Sequence, residues 1–113
     1  MSKNVLLVED DKLSRESLAY LLRGLGHEVC AVWSAEEAKA ALATFKPDLA
    51  LMDLRLPGVP GDAFALYLRY KFPHVKIIFV SGEFNVQEME RFGDDVDFLP
   101  KPLDMNKLIA AIQ

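Results

Sequence analysis

The chain alternates between short, nearly continuous apolar runs and longer stretches whose apolar residues recur at helical spacing. The runs are Asn4-Val5-Leu6-Leu7-Val8, Asp48-Leu49-Ala50-Leu51-Met52, Val75-Lys76-Ile77-Ile78-Phe79-Val80 and Val96-Asp97-Phe98-Leu99, and residues His27 to Val32 read as a further strand. Runs of this kind suit strands covered on both faces. Between them, Leu13, Leu18, Leu21, Leu22 and Leu25 predict a first helix closed by Gly26. A second opens at Ser34, where Ser34-Ala35-Glu36-Glu37 has capping-box spacing, runs through Ala38, Ala41, Leu42 and Phe45, and stops before Pro47. A third carries Phe64, Tyr67, Leu68 and Tyr70 ahead of Pro73. A fourth, from about Asn85 to Phe92, is short and weakly patterned; a fifth begins near Asp104 and uses Met105, Leu108, Ile109 and Ile112. Strand followed by helix throughout predicts a parallel α/β sheet with helices on both faces. Ligands then bind at the carboxyl ends of the strands, near the topological switch point.

Four of the apolar runs end in polar groups: Glu9-Asp10-Asp11, Asp53, Ser81 and Lys101-Pro102. Glu9, Asp10 and Asp53 together would repel one another unless protons or a cation relieved them. Magnesium fits, because it prefers oxygen ligands and is commonly held by one or two carboxylates plus substrate phosphate. Asp53 is then the candidate nucleophile for an aspartyl phosphate, with Lys101 as the fixed cation that neutralises the transferring oxygens. Ser81 can donate its hydroxyl to a phosphoryl oxygen, and Gly82 behind it allows close backbone approach. Each group also has a plain structural reading: the acids as caps or loop residues, Ser81 as a turn residue, Lys101-Pro102 as a strand exit. Their arrival together at successive strand ends favours chemistry.

With 113 residues, about half of them apolar, the chain is large enough for one core and too short for two ordinary domains, so residues 1–113 read as a single domain. The apolar pattern still runs at Gln113, as expected of a segment cut from something longer or of a short terminal helix. A net charge of −4 offers no basic stripe for a phosphate backbone, which argues against nucleic-acid binding by this segment. Cys30 has no partner for an internal disulfide and reads as a small buried hydrophobe on its strand. No apolar stretch approaches the length of a membrane span and Met1-Ser2-Lys3 leads straight into a strand, so the expected compartment is the cytoplasm.

The segments Val5-Leu6-Leu7-Val8-Glu9-Asp10-Asp11, Leu51-Met52-Asp53-Leu54-Arg55-Leu56-Pro57-Gly58, Val80-Ser81-Gly82 and Phe98-Leu99-Pro100-Lys101-Pro102 closely resemble the receiver domain of bacterial two-component response regulators, over essentially the whole chain. The resemblance implies a flavodoxin-like (βα)5 fold, doubly wound, with strand order 2-1-3-4-5. It makes Asp53 the phosphoacceptor, Asp10 a direct Mg2+ ligand, Glu9 an outer acid acting through water, and the Arg55 backbone carbonyl a further ligand, with Mn2+ as a substitute metal. It matches Ser81 to the hydroxyl that turns toward the phosphoryl group, Lys101 to the lysine that pairs with it, and Lys101-Pro102 to a cis peptide. Phe98 corresponds to the aromatic that changes rotamer with the switch, or is an ordinary core aromatic on the fifth strand. The implied partners are a sensor histidine kinase or histidine phosphotransfer protein and an unknown output domain or protein. The kinase would dock through the first helix and the site loops, where Leu13, Ser14 and Pro102 contribute. The implied state is a monomer or a weak, phosphorylation-dependent dimer. Such a domain catalyses its own phosphorylation and dephosphorylation and is no turnover enzyme.

The sequence departs from the family pattern between Ser81 and Lys101, which is shorter than usual and contains the weak fourth helix. Glu83, two residues after Ser81, invites an ion pair with Arg55 across the site. Competing readings fit less well. A haloacid-dehalogenase-like phosphatase needs a second acid two residues after the nucleophile, where this chain has Arg55. A flavodoxin-type FMN carrier needs a phosphate loop where Glu9-Asp10-Asp11 stands. A phosphorylation-independent binding module typically lacks one of the key groups, and all are present here.

Overall fold

The computed structural model describes residues 2–113. In chain order the elements are β1 (Asn4–Val8), α1 (Lys12–Gly24), β2 (Glu28–Val32), α2 (Ala35–Ala41), β3 (Leu49–Asp53), α3 (Gly61–Lys71), β4 (Lys76–Ser81), α4 (Val86–Phe92), a 3-10 turn (Gly93–Asp95), β5 (Val96–Pro100) and α5 (Met105–Ile112). The five strands form one parallel sheet in the order β2-β1-β3-β4-β5. Its register sets Val8 beside both Val32 and Met52, Asp53 beside Val80, and Ser81 beside Pro100. The residues that follow these pairs therefore share one edge of the sheet.

Strand burial follows position in the sheet. Central β3 is buried at every residue, whereas the edge strands β2 and β5 are buried only in part. Because successive side chains point to opposite faces, each central strand feeds two cores. Val5, Leu7, Leu49, Leu51, Ile78 and Val80 pack against Ala19 and Leu22 of α1 and Leu108 and Ile112 of α5. Leu6, Val8, Ala50, Met52, Ile77 and Phe79 pack against α2, α3 and α4. Each fully buried aliphatic side chain contributes about 1.5–3 kcal/mol. Phe79 is the aromatic hub of the second core, with ring centroids 5.1 Å from Phe92 and 5.6 Å from Phe98, and Phe98 in turn lies 5.2 Å from Phe84.

Several boundaries differ from those the apolar pattern suggests. Helix α2 ends at Ala41, because Ala43 and Thr44 donate to Ala40 and Ala41 three residues back and tighten the chain into a turn. Leu42 and Phe45 therefore lie beyond the helix, and Lys46 Nζ closes its end on the Leu42 carbonyl. Tyr70 is exposed, since α3 buries Phe64, Ala65 and Leu68 and a residue two past Leu68 faces the opposite side. Leu13 and Leu25 of the predicted first-helix stripe are likewise exposed. Cys30 is half-buried, not fully buried, because β2 is an edge strand; burial still pushes its thiol up, with the Glu37 charge adding to the shift. Gly26 adopts φ 96°, the left-handed conformation that lets the chain leave α1. Short α4 is better built than its pattern suggests: Asn85 accepts from the Glu88 N–H and the Glu88 carboxylate accepts from the Asn85 N–H, a complete capping box.

Candidate functional site

Strands β1 and β3 are paired neighbours, and Glu9, one residue past β1, comes to lie beside Asp53, the last residue of β3. Carboxylate oxygens of Glu9, Asp10 and Asp53 lie within 4.8 Å of one another. Glu9 and Asp53 are buried and Asp10 is exposed, so the cluster opens to solvent on one side. The loop after β5 brings Lys101, whose Nζ donates to Asp53 Oδ2 at 2.7 Å and to Glu9 Oε1 at 3.5 Å. The Lys101-Pro102 peptide is cis.

Backbone donors fix the acids further. The Arg55 N–H donates to Asp53 Oδ1 at 2.8 Å and the Asp11 N–H to Glu9 Oε2 at 3.0 Å. Burial raises the Glu9 pKa, against the Asp11 N–H bond and the Lys101 charge, which lower it. For Lys101, burial works to lower the pKa, but the hydrogen bond to Asp53 and the charges of Glu9 and Asp53 outweigh it and the net shift is upward. One ammonium thus faces three acids. Oxygen donors with an unbalanced negative charge suit a hard divalent cation.

Ser81 is buried at the end of β4, but its hydroxyl is turned to its own loop: Oγ donates to the Glu83 carbonyl at 2.9 Å and accepts from the Glu83 N–H at 3.3 Å. Gly82 is open, with nothing within 4 Å of where a Cβ would stand, so no close approach requires glycine there. The glycine that is sterically required is Gly61, at the start of α3, where an added Cβ would stand 2.3 Å from the Asp53 carbonyl oxygen. Phe98 is half-buried between Phe79 and Phe84.

The Arg55 side chain does not pair with Glu83. Its guanidinium binds Glu88 of α4 through Nη1 to Oε2 at 2.5 Å and Nη2 to Oε1 at 2.9 Å. Exposed Glu83 is occupied through its backbone by Ser81, whereas buried Glu88 presents both oxygens in the bidentate geometry a guanidinium prefers. The Asn85-x-x-Glu88 spacing, a capping signature, was the available sequence signal for Glu88.

An apolar groove flanks the acids, lined among others by exposed Leu13, by Ser14 and Leu18 of α1, and by Pro102, Leu103 and Met105. No helix among the described residues is long and apolar enough to cross a membrane.

The sequence model of the response regulator receiver domain matches residues 5–113. The chain is 36% identical to the response regulator protein FleR of Pseudomonas aeruginosa and 37% identical to nodulation protein W of Bradyrhizobium diazoefficiens, in each case over 96% of its own length. It spans 24% of the first and 48% of the second, so these relatives extend well beyond the matched segment. Among solved structures, a response regulator receiver protein from Pseudomonas putida superposes with a TM-score of 0.87 at 32% identity, covering 99% of this chain and 96% of that one. The signal receiver domain of an HD domain-containing protein from Pseudomonas fluorescens gives 0.90 at 22% identity, covering 99% and 92%, a likeness of fold.

Proposed function

The chain belongs to the response regulator receiver domain family, a family of signalling modules rather than turnover enzymes, and from that membership we propose that Asp53 accepts a phosphoryl group from a histidine kinase or phosphotransfer protein. The observation that carries the reading is Lys101 Nζ bridging Asp53 and Glu9 beside an exposed third acid. Asp53 attacks phosphorus in line: a P–O bond forms as the P–N bond of the phosphohistidine breaks, and the departing imidazole takes up a proton from solvent.

Glu9, Asp10, Asp53 and the Arg55 carbonyl would hold the Mg2+ ion, with Glu9 acting through water and Mn2+ able to substitute. When bound, the ion supplies positive charge that lets an anionic donor approach these acids. Lys101, already on Asp53 Oδ2, follows the charge onto the phosphoryl oxygens. The Ser81 hydroxyl exchanges its neutral bonds with Glu83, each worth about 0.5–1.5 kcal/mol, for a charge-assisted one of about 1.5–3 kcal/mol. The added charge of roughly −1.5 to −2 biases the β4–α4 loop, and Phe98, now between Phe79 and Phe84, is the aromatic positioned to change rotamer with it.

The kinase docks on the apolar groove beside the acids, which accounts for an exposed Leu13 at its rim. The output lies outside the matched segment; the relatives NtrC and MtrA are named as DNA-binding regulators. Intact mass after incubation with a small phosphodonor, with and without Mg2+, tests the assignment. We expect a metal-dependent gain of one phosphoryl group that Asp53→Ala abolishes. No gain under any condition would instead favour a phosphorylation-independent binding module.

A further inference from the structure

Glu88 is a buried carboxylate with two simultaneous duties. Both oxygens receive the Arg55 guanidinium, and Oε1 also accepts the Asn85 N–H that starts α4. The hydrogen bond from Arg55 is the main reason its pKa lies below the usual carboxylate range. The rest of α4 is lightly held. Phe92 is its one buried apolar residue, Val86 and Met89 face solvent, and Arg91 pairs with Asp62 of α3 at 2.9 Å. The first turn of α4 is therefore fastened to the loop after β3 by charge. The same Arg55 gives its backbone N–H to Asp53, so the arginine stem is rooted two residues from the proposed phosphoacceptor.

We propose that Glu88 is a positioning residue for the phosphoryl reaction, acting through Arg55: it holds the guanidinium off Asp53 in the unmodified chain and yields it when Asp53 is phosphorylated, unfastening the first turn of α4. The inference rests on the phosphoacceptor reading given above. A phosphoryl group offers three acceptor oxygens and roughly −1.5 to −2 charges where Glu88 offers one charge, and a planar guanidinium binds either bidentately. Lys101 is shared between Asp53 and Glu9 in the unmodified chain, and because each phosphoryl oxygen accepts more than one hydrogen bond, Arg55 can join Lys101 there as a second cation. Once Arg55 departs, Glu88 keeps the Asn85 N–H and the Arg91 charge but no longer ties the first turn of α4 to the loop after β3. The coupling is reciprocal at equilibrium, so whatever binds α4 in its loosened state favours the phosphorylated chain.

The test compares wild type, Glu88→Gln, Arg55→Met and the double variant, each loaded with phosphoramidate and Mg2+. Phosphoryl decay is followed by intact mass after donor removal, and backbone hydrogen exchange is followed across α4. Glutamine keeps an acceptor for the Asn85 N–H and removes the charge that holds Arg55. We expect Glu88→Gln to lengthen the phosphoryl half-life about fivefold, the rate equivalent of one net hydrogen bond gained by the phosphorylated ground state, and to show fast α4 exchange before loading, a level wild type reaches only when phosphorylated. In the Arg55→Met background, Glu88→Gln is expected to leave the half-life unchanged. A wild-type half-life in Glu88→Gln, or the same lengthening without Arg55, overturns the inference while the phosphoacceptor reading stands. No mass gain even in wild type refutes that reading, and the inference falls with it.

Discussion

Replacing Gly61 by alanine tests how the turn after β3 holds the candidate phosphoacceptor. An added Cβ would stand 2.3 Å from the Asp53 carbonyl oxygen and 3.0 Å from the Leu54 Cα and carbonyl oxygen. Even favourable carbon–oxygen contacts lie at about 3.3–3.6 Å, so the turn must open by roughly 1 Å. The obstructing atoms are backbone, and no rotamer change relieves them. Overpacking of this kind costs about 1–3 kcal/mol, against about 0.5–1 kcal/mol recovered by exchanging glycine for alanine in a helix. The displacement also strains the bond from the Gly61 N–H to the Leu54 carbonyl, at 3.2 Å. A net destabilisation of about 1–2 kcal/mol follows, and with a urea slope of about 2 kcal/mol/M the midpoint should fall by about 0.5–1 M. Gly24→Ala is the control: it ends α1 with nothing within 4 Å of the new methyl, and should be neutral or stabilising by up to about 1 kcal/mol. A Gly61→Ala midpoint within about 0.2 M of wild type would refute the packing argument.

Phe92→Ala removes the one buried apolar residue of α4 and a ring against Phe79, and should cost about 3–5 kcal/mol in urea unfolding; a loss below about 1 kcal/mol would mean that charge alone holds the helix. Burial raises the Glu9 pKa from 4.5, so the metal-free folded chain binds more protons than the unfolded one just above that value, and stability drops as pH rises through the raised pKa. In EDTA, Glu9→Gln should therefore be more stable than wild type at pH 7, with the advantage fading as the pH falls through the raised pKa toward 4.5 and gone below it; a variant that is weaker at pH 7 would show that the Lys101 pairing outweighs burial.

Most of the sheet could be read directly, because its central strands are buried on both faces and stay apolar at nearly every position, as β3 does. The acids and Lys101 were legible for a related reason: each ends such a strand, and a parallel sheet brings those ends together. What escaped depends on approach across the fold. Gly61 is one of two glycines in the stretch Leu56-Pro57-Gly58-Val59-Pro60-Gly61, and only the Asp53 carbonyl beside it makes it obligatory. Arg55 offered Glu83 as a near partner, yet the α4 turn carries Glu88 to the guanidinium from 33 residues away. Leu13 and Tyr70 matched a helical stripe in composition but not in angle.

The strand order also ties the charge balance of the site to the completeness of the sheet. Strand β1 lies between β2 and β3, so it stays half-paired until residues 49–53 arrive, and that pairing is what unites Glu9 and Asp10 with Asp53. Lys101 comes at the end of β5, the outermost strand on the far side of β4. The three acids are thus gathered by the central strands, while the ammonium that offsets them is held from the edge of the sheet. Docking of the edge strand therefore completes both the sheet and the electrostatic balance of the site.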